Sequence, residues 1–488
     1  MLLIALAFLA SSSAAAPVAI AILPNSSFGS WEGWGVSLAW SGVVWGSSAP
    51  LADAIFSLAD AVELPNLGAV PGLGFNIARY NVGGSSNKSA DGNRIVYSKN
   101  IPWWKQARGF QIDWNSNDTH SQSWDFSTDA NQVTLLQAAK ARGANRIEFF
   151  SNTPLWWQLV NHNPSGSDDG SSDNLQAWNR GNHARYMASV AAWSRDEWGV
   201  TPTSIELFNE PIANWWKASG TQEGCHFDAS TQAAVLAALP AELARVNLTG
   251  VVRVAASDES QVDMALATWR AFDAPTRAII DQVNVHGYQQ GGDRAALYRE
   301  VAAAGKVLRD SEYGDGDGSG ATLATSILLD FAQLHPRGWC YWQTVDVADG
   351  WGMLKGDADS GALLAVNTKH YVIAMLSRHI REGMEIISAD DPRSSTVAAL
   401  DAARRVLVLV TANTQGGAVD VELSLAAFTS APAAAALPAW VTSMASAKPD
   451  GAAAHTPLAG VALGADRLIR LHLAARSIVT IEVPGVVA

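Results

Sequence analysis

The chain has 488 residues, of which 48% are hydrophobic and 16% are charged, and this length favours a large domain plus a smaller one over a single core. Its 46 acidic residues outnumber the 33 basic residues, and no basic run is visible, which argues against nucleic acid or an anionic membrane as a partner. The 20 tryptophans exceed the needs of a core of this size, so part of them is expected to stack on flat apolar faces such as those of sugars.

The N-terminus has the pattern of a cleaved secretion signal. Residues 1–16 combine an apolar run with a zone of small residues, and the segment is too short to span a bilayer. We therefore expect a secreted, extracellular protein without membrane insertion, although the segment lacks the usual basic residue at its start. Four Asn-x-Ser/Thr sequons agree with N-glycosylation, at Asn25, Asn87, Asn117 and Asn247.

Short β-rich apolar runs alternate with helical patterns from about residue 34 to residue 345. Eight strands are predicted, at residues 33–39, 74–80, 146–151, 204–208, 251–256, 282–287, 306–311 and 339–343. Helices are predicted between them, for example over 183–198, where Tyr186, Val190 and Trp193 share one face and Gly199 ends the pattern. Eight such units predict an α/β fold, a closed (β/α)₈ or TIM barrel.

Two connections in this region are unusually long. Residues 83–125 and residues 154–182 are rich in Gly, Ser, Asn, Asp and Trp, and long loops in compact domains are usually functional or disordered. Because they follow the second and third predicted strands, we expect both at the carboxyl-terminal face of the barrel, where they would wall a cleft.

The pattern changes from about residue 371. Apolar or alternating runs between turn signals predict an all-β sandwich, with strands at residues 404–411, 419–425, 440–444, 467–473 and 477–483. The predicted domains are thus a catalytic barrel over 17–370 and a sandwich over 371–488. No polar linker separates them, so we expect tight packing, and residues 17–25 could add a strand to the sandwich.

Only two cysteines are present, Cys225 and Cys340. This excludes a disulfide scaffold and a Cys-rich zinc site. One bridge between them and two buried free thiols are both compatible with the sequence, because the sequence gives no distance between the sulfur atoms.

Two glutamates carry the strongest chemical signal. Glu210 follows the fourth predicted strand and Glu312 follows the seventh, and in a barrel both carboxylates would project into the active face. Cleavage of a glycosidic bond needs one carboxyl group that delivers a proton and another that stays charged beside the anomeric carbon. Two other carboxylates, Glu206 and Asp310, share the facing of these glutamates along their strands, and either a place in the site or burial in the barrel interior is compatible with the sequence.

Further polar and aromatic residues stand at the ends of predicted strands. A residue at such a position projects into the active face of a barrel, and these residues could supply a cation, hydrogen-bond donors and an aromatic floor. They are Arg79, Asn81, Asn209, His286, Tyr288, Trp342 and Gln343.

Seven motifs occur in order along the chain: Trp31-Glu-Gly-Trp-Gly-Val-Ser-Leu-Ala-Trp40, Asn76-Ile-Ala-Arg-Tyr-Asn-Val-Gly-Gly84, Ser151-Asn-Thr-Pro-Leu-Trp-Trp157, Phe208-Asn-Glu-Pro211, Thr221-Gln-Glu-Gly-Cys225, Ser311-Glu-Tyr-Gly314 and Ser377-Arg-His-Ile-Arg-Glu-Gly383. From about residue 18 to the C-terminus, the chain with these motifs resembles glycoside hydrolase family 30, and within it most resembles the secreted endo-β-1,6-galactanases. The resemblance implies a barrel with an attached sandwich and retaining hydrolysis of a polysaccharide or oligosaccharide without metal or cofactor. We also expect a monomer. Glu382 departs from the family pattern, since relatives often carry Pro before this Gly.

The resemblance also implies residue roles. Glu210 would be the general acid/base and Glu312 the nucleophile, with Asn209 on the 2-hydroxyl group of the sugar. Arg79 and Tyr288 would contact Glu312. The remaining candidate substrate contacts are His286, Trp342, Asn81, Gln343, Trp156 and Trp157.

Each assignment has a structural alternative. Asn209-Glu-Pro211 could be a helix cap, Glu312 an ordinary loop carboxylate and Arg79 part of a structural ion pair. Trp156 and Trp157 could be core residues. Activity on another sugar, as a β-1,6-glucanase, glucosylceramidase or xylanase, is the nearest functional alternative, and a non-catalytic carbohydrate-binding protein is the next.

Overall fold

A computed structural model describes residues 16–449 and 454–488. The predicted signal peptide, residues 1–16, lies outside the described residues except for Ala16. Eight parallel strands close into a barrel, as predicted. They are β1 Gly33–Ser37, β2 Ile77–Asn81, β3 Arg146–Phe150, β4 Ser204–Glu206, β5 Arg253–Glu259, β6 Gln282–His286, β7 Val307–Tyr313 and β8 Gly338–Tyr341.

The helices between the strands follow the expected apolar periodicity. The helix Arg180–Asp196 buries Tyr186 and Val190, and Asp293 caps the helix Arg294–Ala303 by accepting a hydrogen bond from the amide of Ala296. The other α-helices are Ala39–Trp45, Ala49–Phe56, Ala130–Ala141, Ala229–Arg245, Val262–Ala271, Ala274–Ile279, Ala321–Gln333 and Thr368–Ser377, and the 3-10 turns are Trp103–Lys105, Trp156–Gln158 and Ala177–Asn179.

The barrel interior contains paired charges as well as apolar side chains. Glu206 and Asp310, whose positions the sequence left open, are fully buried. Arg309 is also buried and pairs with Glu32, and its guanidinium lies 3.9 Å from Glu148. Because a buried charge is costly without a partner, these pairs fix the side chains that stand beneath the carboxyl-terminal face.

The C-terminal region forms a mostly antiparallel sheet of nine strands. The N-terminal strand Val18–Ser30 belongs to this sheet, where it runs antiparallel to Glu385–Asp390 and parallel to Val419–Ser424. The other strands are Thr396–Asp401, Val406–Asn413, Ala439–Ser443, Thr456–Pro457, Leu468–Leu473 and Ser477–Pro484. Small sheets elsewhere comprise Val62–Leu64 with Gly68–Val70, Ser89–Ala90 with Asn93–Arg94, and Val345–Asp346 with Leu354–Gly356 and Leu363–Val366.

The sheet domain and the barrel share apolar core. On the strand Val406–Asn413, Val408 and Val410 pack into the barrel core, whereas Leu407 and Leu409 face the core of the sheet domain itself. Alternation along a strand thus directs one face to each core, which gives the tight attachment expected from the missing linker. The predicted boundary after residue 370 falls inside the helix Thr368–Ser377, which packs into the shared core.

Glu382 ties the barrel to the sheet domain. Its carboxylate accepts hydrogen bonds from Arg146 at 2.9 Å and from Asn145 at 2.6 Å. Both cysteines are free and buried, so the described structure contains two thiols and no bridge between them.

Within residues 16–449 and 454–488, no helix combines the length and apolar character that crossing a membrane requires.

Candidate active site

A cavity of about 360 Å³ opens at the carboxyl-terminal ends of the barrel strands, and both Glu210 and Glu312 line it. The two residues are 7% and 4% exposed. The remaining lining residues are Trp40, Trp215, Trp342 and Trp351, with Lys105, Asn152, Asn209, Gln222, Ser260, Gln261, Tyr288, Asp346 and Ala348. The cavity therefore combines a carboxylate pair, neutral hydrogen-bonding groups and aromatic faces.

The two carboxylates are close neighbours. One oxygen atom of Glu210, one oxygen atom of Glu312 and a ring nitrogen of His286 all lie within 4.8 Å of one another. The register of the barrel explains this proximity, because β6 lies between β5 and β7 and pairs His286 with Glu312, while β4 delivers Glu210 from two strands away.

The backbone at Glu210 is held in an unusual conformation. Its φ of 48° lies in the left-handed region that residues other than glycine rarely adopt. The amide of Glu210 donates to the carbonyl of Asp258 at 2.8 Å, and its own carbonyl accepts from the indole of Trp216 at 2.9 Å. On the side chain, Oε2 accepts from the indole of Trp215 at 3.3 Å. These contacts aim the carboxyl group into the cavity.

Glu312 is bonded on both oxygens. Oε2 accepts from Nη1 of Arg79 at 2.9 Å, and Oε1 accepts from the phenol of Tyr288 at 2.9 Å. Burial raises the pKa of Glu312 above the ordinary value, and the positive charges of His286 and Arg79 only partly oppose this rise. Both oxygens are thereby fixed in orientation.

Arg79 is fully buried beneath the pair of glutamates. Besides Glu312, its guanidinium donates to Glu148 at 3.0 Å, to Ser37 at 2.7 Å and to Asp258 at 2.6 Å. Its planar group also lies 4.1 Å from the ring centroid of Phe150. A guanidinium can satisfy several acceptors at fixed angles, so Arg79 joins β1, β2, β3, β5 and β7 at the floor of the site.

His286 bridges the acidic groups. Its Nδ1 lies 3.2 Å from Glu210 and 3.5 Å from Glu312, and its Nε2 lies 3.2 Å from Asp258. Burial alone would lower the pKa of His286, but the charges of Glu312 and Asp258 outweigh burial and raise the pKa well above its ordinary value. We interpret this ring as an imidazolium that compensates part of the negative charge.

Asn209 and Trp342 line the cavity at the positions that the strand ends predict. Asn209 is 5% exposed, and its buried Oδ1 atom has no hydrogen-bond partner in the described part of the chain. Trp342 meets the ring of Trp40 edge to face, with centroids 4.9 Å apart. The two indoles form one aromatic corner.

Asn81 and Gln343, both proposed as substrate contacts, do not line this cavity. Both are almost fully buried. Oδ1 of Asn81 accepts from the amide of Asn152 at 3.3 Å, and Nε2 of Gln343 donates to Asp346 at 2.5 Å. Asn152 and Asp346 line the cavity. Asn81 and Gln343 therefore support the cavity wall from behind.

Trp156 and Trp157 also lie outside this cavity. Trp156 is fully buried in the barrel core, where it meets His162 edge to face. Trp157 is 4% exposed and lines a second cavity. The short turn Trp156–Gln158 turns both indoles away from the glutamates, so the core alternative holds for Trp156.

Several contributors to the site were not predicted from the sequence. Asp258 contacts both Arg79 and His286, yet the fifth strand was predicted to end at residue 256, whereas β5 continues to Glu259. The two acidic residues in Ser257-Asp-Glu259, at the end of this strand, could have indicated a contribution to the site. Trp40 belongs to the motif that spans residues 31–40. Trp215 and Trp351 lie in loops that carry no strand-end signal.

Metal-binding residue types meet at two places in the described part of the chain. One is the group formed by Glu210, His286 and Glu312. Both oxygens of Glu312 in this group already accept hydrogen bonds, one from Arg79 and one from Tyr288. The other group, Asp173, His226 and Asp228, includes an aspartate whose oxygens accept hydrogen bonds from the amide of Asp228 and the hydroxyl of Thr231.

Comparison with solved structures supports the fold. The catalytic domain of GH30 xylanase C from Talaromyces cellulolyticus matches with a TM-score of 0.70 and 17% identity, over 96% of this chain and 100% of the other chain. An endo-β1,6-glucanase matches with a TM-score of 0.63 and 14% identity, over 96% and 94%. At these identities the similarity shows the architecture alone.

Sequence comparison is more specific. An endo-β-1,6-galactanase from Hypocrea rufa is 48% identical over 434 residues, which cover 88% of each chain. An exo-β-1,6-galactobiohydrolase from Bifidobacterium longum subsp. longum is 23% identical over 67% of this chain and 27% of its own length. The profile described as O-Glycosyl hydrolase family 30 matches residues 17–291, more than half of the chain. On these grounds, the chain belongs to glycoside hydrolase family 30.

Proposed function

We propose that this protein is a secreted, retaining endo-β-1,6-galactanase. The retaining mechanism is supported by the closeness of Glu210 and Glu312. One carboxylate oxygen of Glu210 lies within 4.8 Å of one carboxylate oxygen of Glu312. Retaining glycosidases separate their carboxyl groups by about 5–5.5 Å, whereas inverting enzymes need about 6.5–9.5 Å to admit a water molecule between carboxylate and sugar.

The choice of sugar follows from the sequence comparison. The relative from Hypocrea rufa is named an endo-β-1,6-galactanase and shares 48% of its residues over most of both chains. The xylanase and the glucanase among the similar structures share only 17% and 14%. We therefore favour β-1,6-linked galactan, such as the side chains of arabinogalactan, over glucan, xylan or glucosylceramide.

In the first step, the ionised carboxylate of Glu312 attacks the anomeric carbon while the carboxyl group of Glu210 gives its proton to the leaving glycosidic oxygen. The bond from the sugar to the aglycone breaks as the bond to Glu312 forms. The hydrogen bonds from Arg79 and Tyr288 hold the attacking oxygens in place. Asn209 lines the cavity beside Glu210 and would contact the 2-hydroxyl group, where hydrogen bonds strengthen in the transition state.

In the second step, Glu210 is a carboxylate and accepts a proton from water. The hydroxide equivalent attacks the anomeric carbon, and Glu312 leaves as a carboxylate, so both groups return to their starting states. Two inversions at one carbon give net retention. The indoles of Trp40 and Trp342 form a wall on which the C–H face of the sugar can stack.

Secretion is supported by the apolar N-terminal segment and by the sequons. The asparagines at positions 25, 87, 117 and 247 are all exposed, so each is accessible to a glycan. Edman sequencing of the protein from culture medium, with mass spectrometry of its glycopeptides, tests cleavage and glycosylation. The monomeric state remains a prediction.

Hydrolysis of purified β-1,6-galactan, followed by NMR of the product anomers and sizing of the products, tests the proposal. We expect the β-anomer first and a spread of oligosaccharide lengths. If the α-anomer forms first, Glu312 is not the nucleophile. If a disaccharide is the sole product from the earliest time points, the enzyme does not act in the endo mode. Parallel assays on β-1,6-glucan and xylan identify the sugar.

A further inference from the structure

A second cavity, of about 310 Å³, lies apart from the one that holds the glutamates. The two cavities have no lining residue in common. The walls of the second cavity come from the two long connections, residues 83–125 and 154–182, which follow β2 and β3. Connections after barrel strands lie at the carboxyl-terminal face, so both cavities open on the same face of the molecule.

Three tryptophans dominate the second cavity. Trp178 is 70% exposed and Trp114 is 37% exposed, which is unusual for side chains of this size. Trp157 is buried beside them, with its ring centroid 5.8 Å from that of Trp114, and its indole nitrogen donates to the carbonyl of Gln111 at 3.1 Å. One anchored indole thus supports Trp114, while Trp178 lines the same cavity with most of its side chain exposed.

The polar part of the lining is neutral. It consists of the amides of Asn117, Gln176 and Asn182 and the ring of His162, and among these described lining residues none has a permanent charge. The adjacent cavity, which shares Asn117, differs in this respect because Asp196 and Arg245 are among its walls. Exposed aromatic faces with amide groups and no fixed charge match the alternating C–H and hydroxyl surfaces of an uncharged sugar.

We propose that this second cavity, which we call the tryptophan site, binds a stretch of the β-1,6-galactan chain outside the catalytic cleft. This inference rests on the proposed function for the identity of the sugar. A polysaccharide held at both places on one face gains affinity from the effective concentration of the tethered segment. Trp178 supplies an exposed stacking surface, and replacing it by a smaller residue leaves no cavity in the hydrophobic core.

The test compares Trp178→Ala with Trp103→Ala, a control at another exposed tryptophan, 49% exposed, that lines neither cavity. Both changes are made in the Glu312→Gln background, and binding of long β-1,6-galactan is measured by calorimetry. We expect Trp178→Ala to weaken binding by about 3- to 10-fold, the value of one aromatic stacking contact, and Trp178→Phe to restore part of the loss. The control should stay within twofold of its parent.

Active enzymes give a second readout. With Glu312 intact, Trp178→Ala should raise KM for the polymer more than KM for a trisaccharide, because only the polymer reaches both sites. Equal affinities for Trp178→Ala and the control would overturn the inference.

Asn117 is part of a sequon, so a glycan of the protein itself is the competing occupant. If removal of that glycan changed tryptophan fluorescence while Trp178→Ala left galactan affinity unchanged, the cavity would belong to the glycan and the inference would fail. Failure of the proposed function is read separately, from wild-type protein that does not hydrolyse galactan.

Discussion

Nη1 of Arg79 donates a hydrogen bond of 2.9 Å to Oε2 of Glu312, and the guanidinium is fully buried. The contact fixes one oxygen of the proposed nucleophile, while Tyr288 fixes the other. Such positioning matters because a carboxylate that attacks carbon must present one lone pair along the reaction axis. The cation also opposes the pKa rise that burial causes in Glu312.

Replacing Arg79 by Lys keeps the charge but loses the planar array of donors. Arg79 donates to four acceptors, Glu148, Ser37, Glu312 and Asp258, from three separate nitrogens, whereas an ammonium group has three donors on one nitrogen. A buried carboxylate left without a partner costs about 3–5 kcal/mol. We expect Arg79→Lys to lower Tm and to reduce kcat by about 100-fold through misplacement of the nucleophile. Calorimetry and steady-state kinetics measure the two effects. Normal kcat in a destabilised protein would assign Arg79 to folding alone.

The two glutamates should differ in their dependence on the leaving group. Glu210→Gln removes the proton donor, so we expect kcat on galactan to fall by about 100- to 10,000-fold. With a dinitrophenyl glycoside, whose leaving group needs no proton, the same variant should release one equivalent of phenol in a burst and then turn over slowly. Glu312→Gln should show neither a burst nor turnover. Stopped-flow absorbance measures this.

Absence of the burst with the dinitrophenyl glycoside for Glu210→Gln would contradict its role as general acid. Far-ultraviolet circular dichroism of both variants serves as the folding control. Both changes replace a carboxyl group by an amide of nearly the same shape, so we expect the fold to be preserved.

The pH dependence of kcat/KM should reflect the environment of Glu312. Burial raises the pKa of Glu312, so its protonated, inactive form persists to higher pH than in an ordinary glutamate, and activity should fall as pH drops through that raised pKa. His286 contributes a positive charge that lowers the pKa of Glu312. Removing that charge in His286→Asn should therefore move the acid limb to higher pH. The exposed His472→Asn is a matched control. A limb that stays in place would show that His286 is neutral.

Much of the fold could be predicted from the sequence, because the barrel imposes simple periodicities. Apolar runs of strand length located all eight barrel strands, and parallel strands bring their carboxyl ends to one face. That rule alone joined Glu210 with Glu312, although 102 residues separate them. Five strands of the C-terminal sheet were also predicted, whereas Glu385–Asp390, Thr396–Asp401 and the two-residue strand Thr456–Pro457 were not, the first because it follows directly on a helix and a short turn.

Loop geometry could not be predicted in this way. Trp156 and Trp157 follow the third strand, as a substrate contact would, but a 3-10 turn directs them into the core and into the second cavity. Asp258 was not predicted because β5 extends three residues beyond residue 256, the predicted end of the strand, and has a φ of 62° at Asp258. Periodicity identifies which strand end a residue occupies, while the direction of its side chain depends on contacts distant in the chain.

The two cysteines offer a test of the packing that needs no substrate. Cys225 and Cys340 are free and buried, and burial raises the pKa of both thiols, so neither should react with Ellman's reagent in the native protein. Unfolding in guanidinium without reductant should expose two thiols per chain, and a Cys340→Ala control should expose one. Fewer thiols in the denatured wild type would indicate a bridge. A bridge would require β8 and the loop after β4 to approach each other. The floor of the cavity would then also move, because Cys340 packs against β1 close to the hydrogen bond between Arg79 and Ser37.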